Sequence, residues 1–144
     1  MGFHWLQSRI QEERDRRQRE ALTLNRLPQA LEELYAILKE GITAYQEAFG
    51  AETVESVLLP SRIKITAMAD RDGRWQPVSK VEVAVAPEIP GFRIERGDSS
   101  TDVEVGLLPS NNLYYRDRER DVYLTLEDVI RRVLDRVLFP KLPE

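Results

Sequence analysis

The spacing of apolar residues changes twice along this chain, near Val54 and again near Thr125. Between Leu31 and Phe49 the apolar side chains fall at Leu31, Leu34, Leu38, Ile42, Tyr45 and Phe49, three or four residues apart. That is the stripe of an amphipathic helix. Glu32, Glu33, Lys39, Glu40 and Glu47 take the opposite face. Pro28 fits the first position of such a helix, where its missing N–H costs nothing. Gly50 fits a left-handed cap at its end.

Beyond Val54 the period is two. Ile63, Ile65, Ala67 and Ala69 alternate with Arg62, Lys64, Thr66 and Met68, and Val81, Val83 and Val85 alternate with Lys80, Glu82 and Ala84. Phe92 and Ile94, then Val103, Val105 and Leu107, repeat the pattern. Asp72-Gly73 is a hairpin-turn signal. Pro60, Pro77, Pro87 and Pro90 mark strand ends or edges, because proline cannot donate to a ladder. Two further short strands are expected at Leu113–Tyr115 and Asp121–Leu124, joined by charged residues. From Leu126 the helical period returns with Val129, Val133 and Val137, widened by Ile130, Leu134 and Leu138. Thr125 and Asp128 have the spacing of a capping box.

Ahead of the first apolar stripe lies a stretch of a different kind. Residues 11–20 read QEERDRRQRE, ten polar residues of which eight are charged, with four acids and four arginines. Glu12 and Arg16, Glu13 and Arg17, and Asp15 and Arg19 stand four apart with the acid first, the order that supports a helix by about 0.3–0.5 kcal/mol per pair. Trp5, Leu6 and Ile10 precede the run and Ala21, Leu22 and Leu24 follow it. A helix over 5–26 with no apolar residue in its middle gains nothing from lying on a core. It reads as a solvated arm, or as an arm that meets a partner through Trp5, Ile10, Arg14 and Arg17.

These signals predict an α+β protein: two N-terminal helices, a mostly antiparallel sheet of about five strands, and a C-terminal helix packed on the sheet. The expected organisation is one domain, 1–144, with 1–26 as polar arm and 27–144 as globular body. The 144 residues, 42% hydrophobic, suffice for one core.

A second polar cluster lies near the C-terminal end. In YYRDRERDVY, Arg116, Arg118 and Arg120 alternate with Asp117, Glu119 and Asp121, flanked by Tyr114, Tyr115 and Tyr123. Tyr and Arg together are favoured at interface hot spots. Tyr114, Tyr115, Arg116, Arg118 and Tyr123 are therefore candidate partner-binding residues. They also suit plain edge protection by charge.

Catalytic and metal motifs fail one by one. The chain has no cysteine, which excludes disulfides, thiolate catalysis and Cys-ligated zinc. DRDG at 70–73 lacks the sixth-position glycine and twelfth-position glutamate of a calcium loop. GDSSTD at 97–102 has no nucleophile elbow, and the single histidine, His4, stands at the other end of the chain. Asp98 and Asp102 could in principle do acid–base work, but such loops are ordinary turns. No cofactor, metal or catalytic residue is expected.

With a net charge of −4 and locally neutral arginine runs, the chain lacks the cationic surplus that displaces counterions from nucleic acid. The first residues hold no long apolar run, and Leu6 breaks the myristoylation pattern. No membrane partner is expected, and the cytoplasm is the expected location. The reading that best fits is a protein-binding or assembly module that meets a protein partner or its own copy as a homo-oligomer. The alternatives are a small carboxylate- and arginine-based enzyme or anion-binding protein with a sheet-edge pocket, and a nucleic-acid accessory protein.

Overall fold

The computed structural model describes residues 2–143. Its elements are α1 (His4–Phe49), a 3-10 turn (Ala51–Thr53), β1 (Val54–Leu59), β2 (Arg62–Arg71), β3 (Arg74–Ala86), β4 (Gly91–Arg96), β5 (Ser99–Leu107), β6 (Leu113–Asp117), β7 (Val122–Leu124) and α2 (Leu126–Leu138). The class is α+β, as expected, but two counts differ. One helix replaces the expected two, and the sheet has seven strands where about five were expected.

The helix count turns on Pro28. It sits inside α1 instead of starting a second helix. The ring removes one N–H and crowds the preceding turn, a cost of about 3 kcal/mol in a helix interior. The face on either side of it holds the chain in place: Thr23 and Leu27 before the proline, and Ala30, Leu31, Leu34, Leu38 and Ile42 after it, are all buried in one row. Pro28 itself faces solvent. Burying several leucines at about 1.5–3 kcal/mol each outweighs one lost hydrogen bond. Gly50 ends the helix with its N–H on the Gln46 carbonyl, but at φ 118°, ψ 148° it is extended in a region open to glycine, not left-handed helical.

Each strand pairs antiparallel with the next, so the sheet is a meander in the order β1 to β7. Asp72 and Gly73, at φ 57° and 80°, form the two-residue turn between Arg71 and Arg74. Positive φ at both centres is what a type I′ hairpin needs. β1 runs no further than Ala67 of β2, and β4 no further than Glu82 of β3, so the tip of the β2–β3 hairpin projects as a two-stranded ribbon. Pro77 lies in that ribbon, next to the bulge where Ala67 pairs Ser79 and Met68 pairs Pro77. Its missing N–H is tolerated there because β3 has a neighbour on one side only.

The inner face of the sheet carries Ile63, Ile65, Val81, Val83, Phe92, Ile94, Val103 and Val105, and both helices close on it in a single core. α1 and α2 touch closely at Gly41, where an added Cβ would stand 2.9 Å from Leu134 Cδ1. Thr125 accepts from the Asp128 N–H and Asp128 from the Thr125 N–H, which completes the expected capping box of α2. Among the described residues no helix lies on the outer face. None of the described helices is long and apolar enough to cross a membrane.

Candidate functional site

The first five turns of α1 stand clear of the rest of the chain. Between Gly2 and Leu22 every side chain is exposed except Glu13 and Glu20, which are partly covered. Thr23 is the first buried residue among those described. From His4 to Leu22 the arm is about 28 Å of helix. The buried half of α1 supplies its nucleus, so each further residue has only to propagate the helix.

Charged pairs line the arm. Glu13 accepts from Arg16 at 2.6 Å and from Arg17 at 3.2 Å, and Arg16 reaches Glu20 at 2.5 Å. Arg9 meets Glu12 at 3.0 Å and Gln11 meets Asp15 at 3.0 Å. The expected Glu13–Arg17 pair is made. Arg16, expected on Glu12, is instead held between Glu13 and Glu20. The Arg16 hydrogen bond, with that of Arg17, lowers the Glu13 carboxyl to a pKa of about 2.

The ends of the arm are apolar and uncovered. Phe3 is 64% exposed, Trp5 66%, Leu6 38%, Ile10 42% and Leu22 53%. Leu6 and Ile10 begin a row that sequence reading missed. With Glu13, Arg17, Glu20 and Leu24 they recur alternately four and three residues apart, and the row runs on through Leu27, Leu31, Leu34 and Leu38 of the buried face. Such a row is a heptad seam. Its charged middle hides it from a search for apolar periodicity, but the spacing was there to be read.

The second cluster is placed on three different surfaces. Tyr114, Arg116 and Tyr123 share the outer face of β6 and β7, with Arg116 opposite Tyr123. A Cβ at Gly106, across from Tyr114, would stand 2.1–2.3 Å from the tyrosine ring atoms, so the ring sits directly over the glycine. The Tyr114 and Tyr123 rings meet edge to face at 5.9 Å. Tyr115 points the other way and packs half-buried on the core; burial, first of all, raises its phenol pKa. Arg118 lies exposed in the turn between β6 and β7. The strand ends at Asp117, so Arg116, Arg118 and Arg120 do not form one face.

Arg116 belongs to a ladder of ion pairs across the outer face. It reaches Glu104 at 3.0 Å and also Asp121. Arg93 lies between Asp102 at 2.9 Å and Glu88 at 3.1 Å, and Arg62 between Glu82 and, at 3.7 Å, Glu95. Each guanidinium meets two carboxylates, so acids outnumber arginines along the ladder and no guanidinium in it is left unpaired. Asp102 is engaged by Arg93, and Asp98 stands apart in the β4–β5 turn. A hollow of about 300 Å³ is lined by Ser100, Asp102, Arg118 and Glu119, without Asp98 or Arg116. Among the described residues no group of three or more His, Asp or Glu could hold a metal ion.

An apolar cleft of about 650 Å³ runs between the end of α1 and α2, lined among others by Tyr45, Phe49, Ile130, Leu134 and Phe139. The Tyr45 ring lies 4.8 Å from Phe49 and 5.6 Å from Phe139. Sequence reading assigned Tyr45 and Phe49 to the core stripe; Phe49 is instead 62% exposed. Compared with protein-family models, with curated proteins and with solved structures, the chain shows no match.

Proposed function

We propose that this chain is a non-enzymatic assembly module whose N-terminal helical arm is the contact element. One observation carries the reading: an arm of about 28 Å stands clear of its own body with Trp5, Leu6 and Ile10 exposed near its tip. Solvated charges along the middle explain themselves. Three large apolar side chains held out in water at the far end do not, and burying each in an interface gains about 1.5–3 kcal/mol. Symmetric self-association is the commonest way a soluble chain covers such a surface. The acid-rich ladder on the outer sheet face supports the same reading, since Arg62, Arg93 and Arg116 already have their carboxylates and none of the three is spare for an anion.

Light scattering of the full chain tests this. The expected mass at tens of micromolar is a multiple of 16.7 kDa. The double variant Leu6→Gln, Ile10→Gln should lower it towards one chain while the body still melts in a cooperative transition, at a temperature lowered only by the lost association. A wild-type mass of one chain overturns the reading, and so does a variant that associates as well as the wild type.

A further inference from the structure

We infer that the partner of the arm is the arm of a second copy, packed antiparallel about a two-fold axis beside Asp15, with Glu13 of each chain facing Arg17 of the other. The inference rests on the assembly reading above and adds the occupant, the direction and the register.

The seam dictates the direction. In a parallel pair each seam residue meets its own copy. Glu13 would face Glu13, Arg17 would face Arg17 and Glu20 would face Glu20, three like-charge layers in a row. Turning one helix round changes every layer. When Glu13 faces Arg17 of the other chain, Arg17 faces Glu13 by symmetry, and the central layers become two acid–base pairs. The same register sets Leu6 against Leu24 of the other chain, so apolar residues close both ends. Ile10 falls against Glu20, whose carboxylate is turned aside to Arg16 at 2.5 Å.

The register is also the one the exposed length allows. Leu24 is partly covered and Leu27 is buried in the body, so the free seam ends near residue 24. An overlap of 6–24 uses all of it. Sliding the arms one heptad further in would press Leu6 against Leu31, which its own core already covers. Two like-charge contacts remain near the axis. Arg16 faces its copy, but each is held by Glu13 and Glu20 of its own chain. Arg14 faces its copy in open solvent, where screening makes the repulsion small. Polar seam residues of this kind fix direction and register at some cost in affinity.

Charge reversal tests the pairing. Glu13→Arg alone turns both central layers into pairs of facing guanidinium groups, and Arg17→Glu alone turns both into pairs of facing carboxylates. Each variant is expected to show the mass of one chain at concentrations where the wild type is a dimer. An equimolar mixture of the two restores both acid–base layers and is expected to return to the dimer mass, with one copy of each. Both substitutions are on the exposed arm, so the melting temperature of the body serves as a check that each variant is folded. If the wild type is a dimer sensitive to Leu6→Gln, Ile10→Gln but both reversals leave it intact, the arm is the contact and the register is wrong. If the mixture stays at the mass of one chain, the antiparallel pairing is overturned. If the wild type has the mass of one chain, the assembly reading itself falls.

Discussion

The Asp117 carboxylate, only 2% exposed as a residue, is held by the Arg132 guanidinium at 2.5 Å. Its other oxygen accepts from the backbone N–H groups of Glu119 and Arg120, each at 3.1 Å. One side chain thus ends β6, shapes the turn to β7 and ties that turn to α2. The two partners are not equivalent. Arg132 keeps 27% of its side chain in solvent, whereas Asp117 has almost none. Losing Arg132 strands a buried charge, and losing the Asp117 charge leaves a guanidinium that can turn to water. Arg132→Met is therefore expected to cost about 3–5 kcal/mol, and Asp117→Asn only about 1–3 kcal/mol. Urea unfolding of the two variants gives the comparison, and the reverse order would show that the pair is not what holds the turn.

The same carboxylate makes an acid-sensitive contact. Burial acts to raise its pKa, but Arg132 and the two N–H groups outweigh that, and the net shift is downward from 3.8. Asp128, which accepts from Thr125, is shifted the same way. A group with a lowered pKa in the fold stabilises it above the unfolded value and loses that contribution as pH falls through the folded value. Stability should thus be level above about pH 4.5 and decline below about pH 4, given unperturbed Asp near 3.9. Asp117→Asn should make the decline shallower. Urea midpoints measured from pH 2.5 to 7 check this, and equal slopes for variant and wild type would remove Asp117 from the account.

Leu38 has no exposed surface and stands mid-row between Leu34 and Ile42. Leu38→Ala should cost about 2–5 kcal/mol, as for a buried leucine that leaves a cavity. A change under 1 kcal/mol in chemical denaturation would mean the row can collapse around the gap.

What could be read in advance was whatever is decided within a turn or a few residues. The Leu31–Ile42 stripe, the Asp72-Gly73 hairpin and the Thr125–Asp128 box each carry their own physics, and all three stand in the structure. What could not be read is decided at a distance. Val54–Leu59 is a strand, yet its inner face carries Ser56, bonded to Tyr35 at 3.1 Å, so its alternation is broken by a polar residue whose partner lies 21 residues away. The ladder on the outer face joins Arg62 to Glu82 and Arg93 to Asp102, pairs that exist only once the strand register does. Of the proposed contact residues, Tyr115 shares its sequence neighbourhood with Tyr114 but not its face. The strand pleat separates them, and only the core on one side of β6 says which is inside.

Generic nucleic acid offers a contrast case. Arg62, Arg93 and Arg116 are each already paired with two carboxylates, and the four arginines of residues 11–20 are balanced by four acids. Binding to mixed-sequence DNA or RNA at physiological salt should be weaker than roughly 10 µM, far from the 10 nM or tighter of specific complexes. A mobility shift at lower concentration that disappears with added salt would contradict this and direct attention to the arginines around the β6–β7 turn.

Pro28 is exposed and interior to α1, and nothing in the structure puts its ring to use. A proline at the first turn of a helix and one in its middle can sit in the same local sequence. Only the continuous buried row through Leu27, Ala30 and Leu31 distinguishes them here. Replacing it returns the N–H that the carbonyl one turn earlier, at Leu24, is missing, and relieves the crowding of the ring against that turn. Pro28→Ala should therefore stabilise the fold by about 1–3 kcal/mol, the interior penalty less whatever the helix has already relaxed. The gain should appear as a higher melting temperature and as slower amide exchange around residues 24–28. If the variant melts at the same temperature or lower, the helix has already relaxed around the ring, and the lost restraint on the unfolded chain offsets the returned hydrogen bond.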